Sequence, residues 1–155
     1  RGLGDVYKRQ GYNTGIDILY SGTVGAAMEA LANGIRSFAF SNKNDTSWET
    51  ADAYLISIVK ELLDENLSMD RIWNVNFPGC ELSECKGILR DRIPAKHQFY
   101  QDDYVRTNHA DGSFSLRSKG VMTEKAEEGT DISALLNNYI SIGSVRCAAL
   151  GYQKD

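Results

Sequence analysis

An α/β fold built on a parallel sheet is what this 155-residue sequence predicts, on three observations. Two segments with helical periodicity, beginning near Thr23 and Ser47, alternate with two short runs of β-branched and aromatic residues, Ile35 to Ser41 and Ile72 to Phe77. Strand, helix and strand in that order imply a right-handed crossover between parallel neighbours. After Lys86 the character changes to short alternating segments, so a smaller β-rich part with an extended hairpin is expected to follow.

The elements can be justified in turn. Thr23 to Asn33 places Val24, Ala27, Met28 and Leu31 at i, i+3, i+4 and i+7, and stops at Asn33-Gly34. Ile35 to Ser41 is bounded by Gly34 and by the polar cluster Asn42 to Asp45, as a strand should be. Ser47 is expected to cap the next helix, which runs to Asn66 with a wide apolar stripe of Ala51, Tyr54, Leu55, Ile58, Val59, Leu62 and Leu63. Ile72 to Phe77 is a strand stopped by Pro78-Gly79. Gly87 to Ile93, His97 to Thr107 and Ser113 to Ser118 are the alternating segments, and Asp111-Gly112 turns the last two into a hairpin. Gly129-Thr130-Asp131 opens a short helical turn through Leu136, and Tyr139 to Val145 alternates as a final strand. Trp48 and Trp73 are expected in or beside the core.

Composition narrows the function classes. At 42% hydrophobic residues the chain can fill one core. A formal charge of −4 without clustered Lys or Arg argues against a nucleic-acid polymer as partner. The longest uncharged apolar stretch, Ile18 to Met28, is about half of what crosses a bilayer, so no membrane partner is expected. Cys80, Cys85 and Cys147 are odd in number and lack metal or redox spacing, which fits reduced thiols in the cytoplasm. The opening residues stand apart. Asp5-Val6-Tyr7-Lys8-Arg9-Gln10 translates a transposase end sequence of the kind inserted in sequencing libraries. Residues 1–10 are therefore set aside as a scar, and the natural frame is expected to have been cut just before Gly11.

The chemistry-bearing stretch is Gly11-Tyr12-Asn13-Thr14-Gly15-Ile16-Asp17-Ile18-Leu19-Tyr20-Ser21-Gly22-Thr23-Val24. A glycine-punctuated loop enters a helix near Thr23, so Ser21, Gly22 and Thr23 stand where unpaired N–H groups and the helix dipole favour an anion. Gly22 permits close approach and the Ser21 and Thr23 hydroxyls add donors. From these residues alone an ordinary N-cap, with Ser21 or Thr23 satisfying N2 or N3, is the commoner explanation of Ser-Gly-Thr. Asp17 admits two readings, a carboxylate just behind a metal's ligands or an Asx turn in a glycine-rich loop.

The whole stretch resembles the SurE family, whose pattern runs Gly-x-Asn-x-Gly-x-Asp, two hydrophobic residues, one variable residue and Ser-Gly-Thr-Val, then a small-residue helix containing Met-Glu, here Met28-Glu29. Ile72-Trp73-Asn74-Val75-Asn76-Phe77-Pro78, Lys86-Gly87-Ile88, and Gly129-Thr130-Asp131 followed by Tyr139-Ile140-Ser141-Ile142 continue the resemblance in order, with Asn138 where the family usually has Gly. The resemblance implies a truncated Rossmann-like parallel-sheet domain over 11–85, a β-rich hairpin region for oligomerisation over 86–128, and a carboxy-terminal helical turn and strand over 129–155. It implies a phosphatase that hydrolyses nucleoside 5′- and 3′-monophosphates with a divalent metal ion, Mg or Mn. Asn13, Ser21, Gly22 and Thr23 would hold the phosphate, and Asp17 would stand behind the metal. The metal ligands themselves, an Asp-Asp pair, a Ser and an Asn, would precede Gly11, the Asn falling where Arg9 stands. No catalytic or metal-binding residue is therefore expected in the chain as given, which is expected to be inactive alone. The alternative is a non-catalytic nucleotide-binding or oligomerisation module.

Other candidates have plainer explanations. Asp102-Asp103 is an adjacent acidic pair on a polar hairpin, where a solvated face is expected. His97 and His109 have no third ligand in pattern for zinc. Phe99, Tyr100 and Tyr104 are read as exposed hairpin aromatics that make a subunit contact rather than stack a base, in keeping with the resemblance, which implies a homodimer or homotetramer.

Overall fold

The computed structural model describes residues 11–43, 46–101, 104–118 and 121–150. The proposed scar, the Asp102-Asp103 pair and the last five residues lie outside these. The described residues open with the glycine loop and a 3-10 turn, Gly15–Tyr20, and enter helix α1, Gly22–Ala32. Val24, Ala27 and Leu31 are buried against Ala39 and Ile72, with Met28 packed beside them, which is the face that the spacing predicts. The helix stops where Gly34 takes φ 79° and the amides of Gly34 and Ile35 return to the carbonyls of Leu31 and Ala30.

Strand β1, Phe38–Ser41, leads to helix α2, Glu49–Asp64, and then to strand β2, Arg71–Asn76. β1 and β2 are parallel, in register from Phe38 opposite Trp73 to Ser41 opposite Asn76, so the parallel pair joined through a helix that the sequence predicts is present. The start of α2 differs from expectation. Trp48, not Ser47, is the N-cap; the Ser47 hydroxyl accepts from Glu49 at 3.3 Å, and the buried Thr50 hydroxyl donates to the Cys80 carbonyl at 3.0 Å. The loop after β2 thus competes for the side chain that a capping box would use. Trp48 is 57% exposed rather than in the core, whereas Trp73 packs with Ala51, Ile58, Leu62 and Val75. The stripe of α2 is narrower than its sequence suggests, Leu63 being exposed.

Strand β3 is Ile88–Leu89, shorter than expected, and β4, Tyr100–Gln101, pairs with β7, Val121–Met122. Between them β5, Tyr104–Asn108, and β6, Phe114–Ser118, form the expected antiparallel hairpin, with Gly112 at φ 83° and Asp111 accepting from the Ser113 amide. Helix α3, Asp131–Leu136, is capped by the Thr130 hydroxyl on the Ser133 amide. Strand β8, Ile140–Arg146, completes a sheet in the order β1-β2-β8-β3. β8 is antiparallel to β2 and parallel to β3, so the sheet is mixed beyond its parallel pair. Pro78-Gly79, with Gly79 at φ 65°, turns the chain back after β2, and β8 fills the space between β2 and β3.

Phe99 corrects the reading of the hairpin aromatics. It is 4% exposed, in a small core with Tyr12, Ala95, Ile132 and Leu135, edge-on to the Tyr12 ring at 5.2 Å. Only Tyr104, among the three aromatics read as exposed, lies fully on the surface.

Candidate functional site: the Asn13 to Thr23 loop

The loop is held down at both backbone groups of Asn13. Its N–H donates to Asn76 Oδ1 at 3.0 Å and to Ser41 Oγ at 3.1 Å, while its carbonyl accepts from Asn74 Nδ2 at 2.7 Å. The Ser41 hydroxyl also donates to Asn76 Oδ1. The Asn13 side chain, buried with its backbone, donates to the Phe40 carbonyl at 3.4 Å and accepts from Ser21 Oγ at 2.6 Å. Ser21 in turn accepts from the Val24 amide at 3.1 Å, the N-cap of α1. Asn13 and Ser21, paired only by resemblance in the sequence, are thus in contact at the start of the helix.

Gly22 and Thr23 form the exposed first turn of α1. Apart from its two chain neighbours and the helix's own backbone, no heavy atom lies within 4 Å of where a Cβ on Gly22 would stand. The first N–H groups of a helix have no acceptor within it. Ser21 takes that of Val24, and those of Gly22 and Thr23 belong to the open end. The first turn carries no acidic side chain, so nothing on the helix itself opposes an anion there.

Asp17 and Asp131 brace the loop from behind. Asp17 Oδ2 accepts the amides of Phe99 at 2.9 Å and Tyr100 at 3.1 Å, which ties the 3-10 turn to the root of the hairpin. Both of these bonds run to amides at the hairpin root rather than to the residues that follow Asp17 in the loop. Asp131 is 3% exposed and accepts three amides, Gly15 at 2.9 Å, Ala95 at 2.9 Å and Ile132 at 2.8 Å. Burial pushes its carboxyl above the ordinary range, against the pull of those three N–H groups. Gly15 has φ 52°, and a Cβ there would stand closer than 3.0 Å to the His97 carbonyl. Tyr12, next to Asn13, donates to the Pro78 carbonyl at 2.6 Å, and burial raises its phenol.

The remaining sequence candidates do not converge. His97 Nδ1 lies 3.1 Å from the Gln98 carbonyl, and His109 Nε2 is 3.1 Å from Ser115 Oγ on the hairpin. Among the described residues no group of three His, Cys, Asp or Glu side chains is placed to hold a metal ion. Asp17 Oδ2 and both oxygens of Asp131 accept backbone amides, so the described residues do not make the ligand set that a divalent cation requires. Sequence reasoning missed Ser41, Asn74, Asn76 and Asp131 as members of the site. The signal was there for two of them, since Asn at alternate positions of an otherwise apolar strand puts two amides on one buried face.

The family model described as Survival protein SurE matches residues 9–99. This chain belongs to the SurE family. It is similar to the SurE protein from Aquifex aeolicus, whose crystal structure shares 33% identity with it at a TM-score of 0.75. The match covers 93% of this chain and 58% of the Aquifex protein, so the chain spans little more than half the length of that SurE relative. Every segment that carried the resemblance up to Ile88 lies within the matched family region.

Proposed function

We propose that this chain supplies the phosphate-binding part of a nucleotide phosphatase, one that hydrolyses nucleoside 5′- and 3′-monophosphates. The observation that carries the reading is the open first turn of α1, with Ser21 oriented by Asn13 and Gly22 facing unobstructed space. A tetrahedral oxyanion there would accept from the Gly22 and Thr23 amides and from the Thr23 hydroxyl, and gain from the helix dipole. Membership of the SurE family supports the reading. These residues bind and orient the phosphoryl group and stabilise charge that develops on its oxygens. The Mg or Mn ion that the resemblance implies finds no ligand set among the described residues, and no step above depends on it.

The test has two arms. Titrating the 15N-labelled chain with inorganic phosphate should shift the amides of Gly22, Thr23 and Val24 saturably and leave α2 unmoved. Incubating the chain with AMP or p-nitrophenyl phosphate and Mg or Mn should release no phosphate above buffer, whereas the natural full-length gene product should turn both over. Saturable binding elsewhere, with these three amides silent, would refute the site.

We also propose that the β5–β6 hairpin joins copies of the chain into a homodimer or homotetramer. Tyr104, Phe114 and Leu116 share one face of this two-stranded ribbon and are each more than half exposed, at 56%, 53% and 58%. A two-stranded ribbon with an apolar face is marginal by itself in water and is stabilised by covering that face.

A further inference from the structure

β2 carries two asparagines where a buried strand would ordinarily carry apolar residues. Asn74 and Asn76 follow Ile72 at two-residue spacing, so all three share the sheet face that packs under α1. Asn74 is 4% exposed and Asn76 fully buried. Each amide uses one end and leaves the other without a partner among the described residues, Oδ1 at Asn74 and Nδ2 at Asn76. Burying half-used amides is unfavourable compared with an apolar side chain of similar shape, so the strand gains nothing in stability from them. What they do instead is specific. One donates to the Asn13 carbonyl and the other accepts from the Asn13 amide, as a neighbouring strand would. That fixes the orientation of a residue whose side chain then holds Ser21, the cap of α1.

We propose that Asn74 and Asn76 are positioning residues for the anion-binding end of α1, acting through Asn13 and Ser21. The inference rests on the phosphate-site reading for its purpose, but its geometry can be tested separately. Holding both the N–H and the C=O of one residue fixes the two peptide planes that flank its Cα, which a single bond does not. Asn supplies the two roles with opposite ends of the same group, and the roles are not interchangeable: a carboxylate can replace Asn76 as acceptor but cannot replace Asn74 as donor.

The experiment uses the full 155-residue chain, 15N-labelled, and reads amide hydrogen exchange and the response to inorganic phosphate. In Asn74→Ala and Asn76→Ala the Asn13 and Val24 amides should exchange about tenfold faster, the Ile58 amide in α2 should not change, and phosphate should bind about tenfold more weakly at Gly22 and Thr23. Asn76→Asp should retain most of the Asn13 protection and Asn74→Asp should lose it, although each adds one buried negative charge. Ser141→Ala removes a hydroxyl without a partner among the described residues on the same sheet face and should change none of these readings. Should the alanine variants fail to fold, Ser41→Ala, which removes one of the two acceptors of the Asn13 amide, gives the milder form of the same change. Unchanged Val24 exchange in folded variants, or equal behaviour of the two aspartate variants, overturns the proposal. If Val24 responds as expected while phosphate shifts no amide even in the unaltered chain, the positioning role stands and the anion site falls.

Discussion

Gly15→Ala should be among the most damaging single-methyl changes available in this protein. Gly15 sits at φ 52°, where a side chain costs about 1–2 kcal/mol. Its new Cβ would stand closer than 3.0 Å to the His97 carbonyl and at 3.0 Å from Ile132 Cδ1. The carbonyl cannot move aside freely, because it accepts the Ile16 amide at 3.2 Å, and Gly15 itself donates to the buried Asp131. Overpacking of this kind adds about 1–3 kcal/mol. The sum is roughly 3 kcal/mol, large against the total stability of a chain this size. Urea unfolding followed by circular dichroism measures it, as a fall in midpoint at unchanged slope. Gly25→Ala is the matched control. It lies within α1, where the added methyl meets nothing within 4 Å beyond its chain neighbours and the helix's own backbone, and it should gain about 0.5–1 kcal/mol. A loss under about 1 kcal/mol at Gly15 would show that the contact with the His97 carbonyl is easily relieved, and the packing account of the loop would be wrong.

Asp131→Asn should cost about 1–3 kcal/mol in acid, below the raised titration of Asp131, and less near neutral pH, since an amide nitrogen would replace an oxygen that accepts backbone N–H. Because burial raises this carboxyl, the stability it contributes is fully present below the unfolded carboxyl range and is lost as pH rises through the raised value. Urea midpoints of both proteins at several pH values test this, and an advantage over the variant that grows with pH would contradict it. Gly22→Val meets open space, so its melting temperature should match that of the unaltered chain while phosphate no longer shifts the Thr23 amide; in the proposed full-length phosphatase turnover should fall about a hundredfold. Normal turnover in a correctly folded Gly22→Val enzyme would remove this turn from the active site. Light scattering should find the chain at least dimeric, and replacing Phe114 and Leu116 with Ser should dissociate it; a monodisperse monomer at high concentration would dispose of the hairpin interface.

What the sequence made legible was governed by local physics. α1, α2, β2 and the β5–β6 hairpin follow from periodicity, glycine and turn chemistry within each segment, and all are present. A cap at Ser21 or Thr23 was legible for the same reason, and Ser21 is the one that accepts from Val24. The misses depend on partners distant in sequence. Ser47 gave up its capping place at α2, where Thr50 is drawn to Cys80, thirty residues away. Phe99 reads as a hairpin aromatic until Tyr12 and Ile132 are placed around it. Asp17 bonds amides more than eighty residues on, so no local pattern could have named its partners. The direction of β8 depends on where the chain lies after β3, which no periodicity records.

Asn138 shows what kind of information a family pattern stores. The position usually held by Gly has φ 61° here, and the amides of Asn138 and Tyr139 close the end of α3 on Leu135 and Ala134 as a glycine would allow. Asn is the side chain that best tolerates this region, because its short polar group suffers least from the left-handed turn. What this fold requires at the position is therefore a left-handed torsion angle, which glycine or asparagine can supply. A signature that demands glycine discards this chain at its carboxy-terminal motif, whereas one that asks which residues accept a left-handed backbone keeps it.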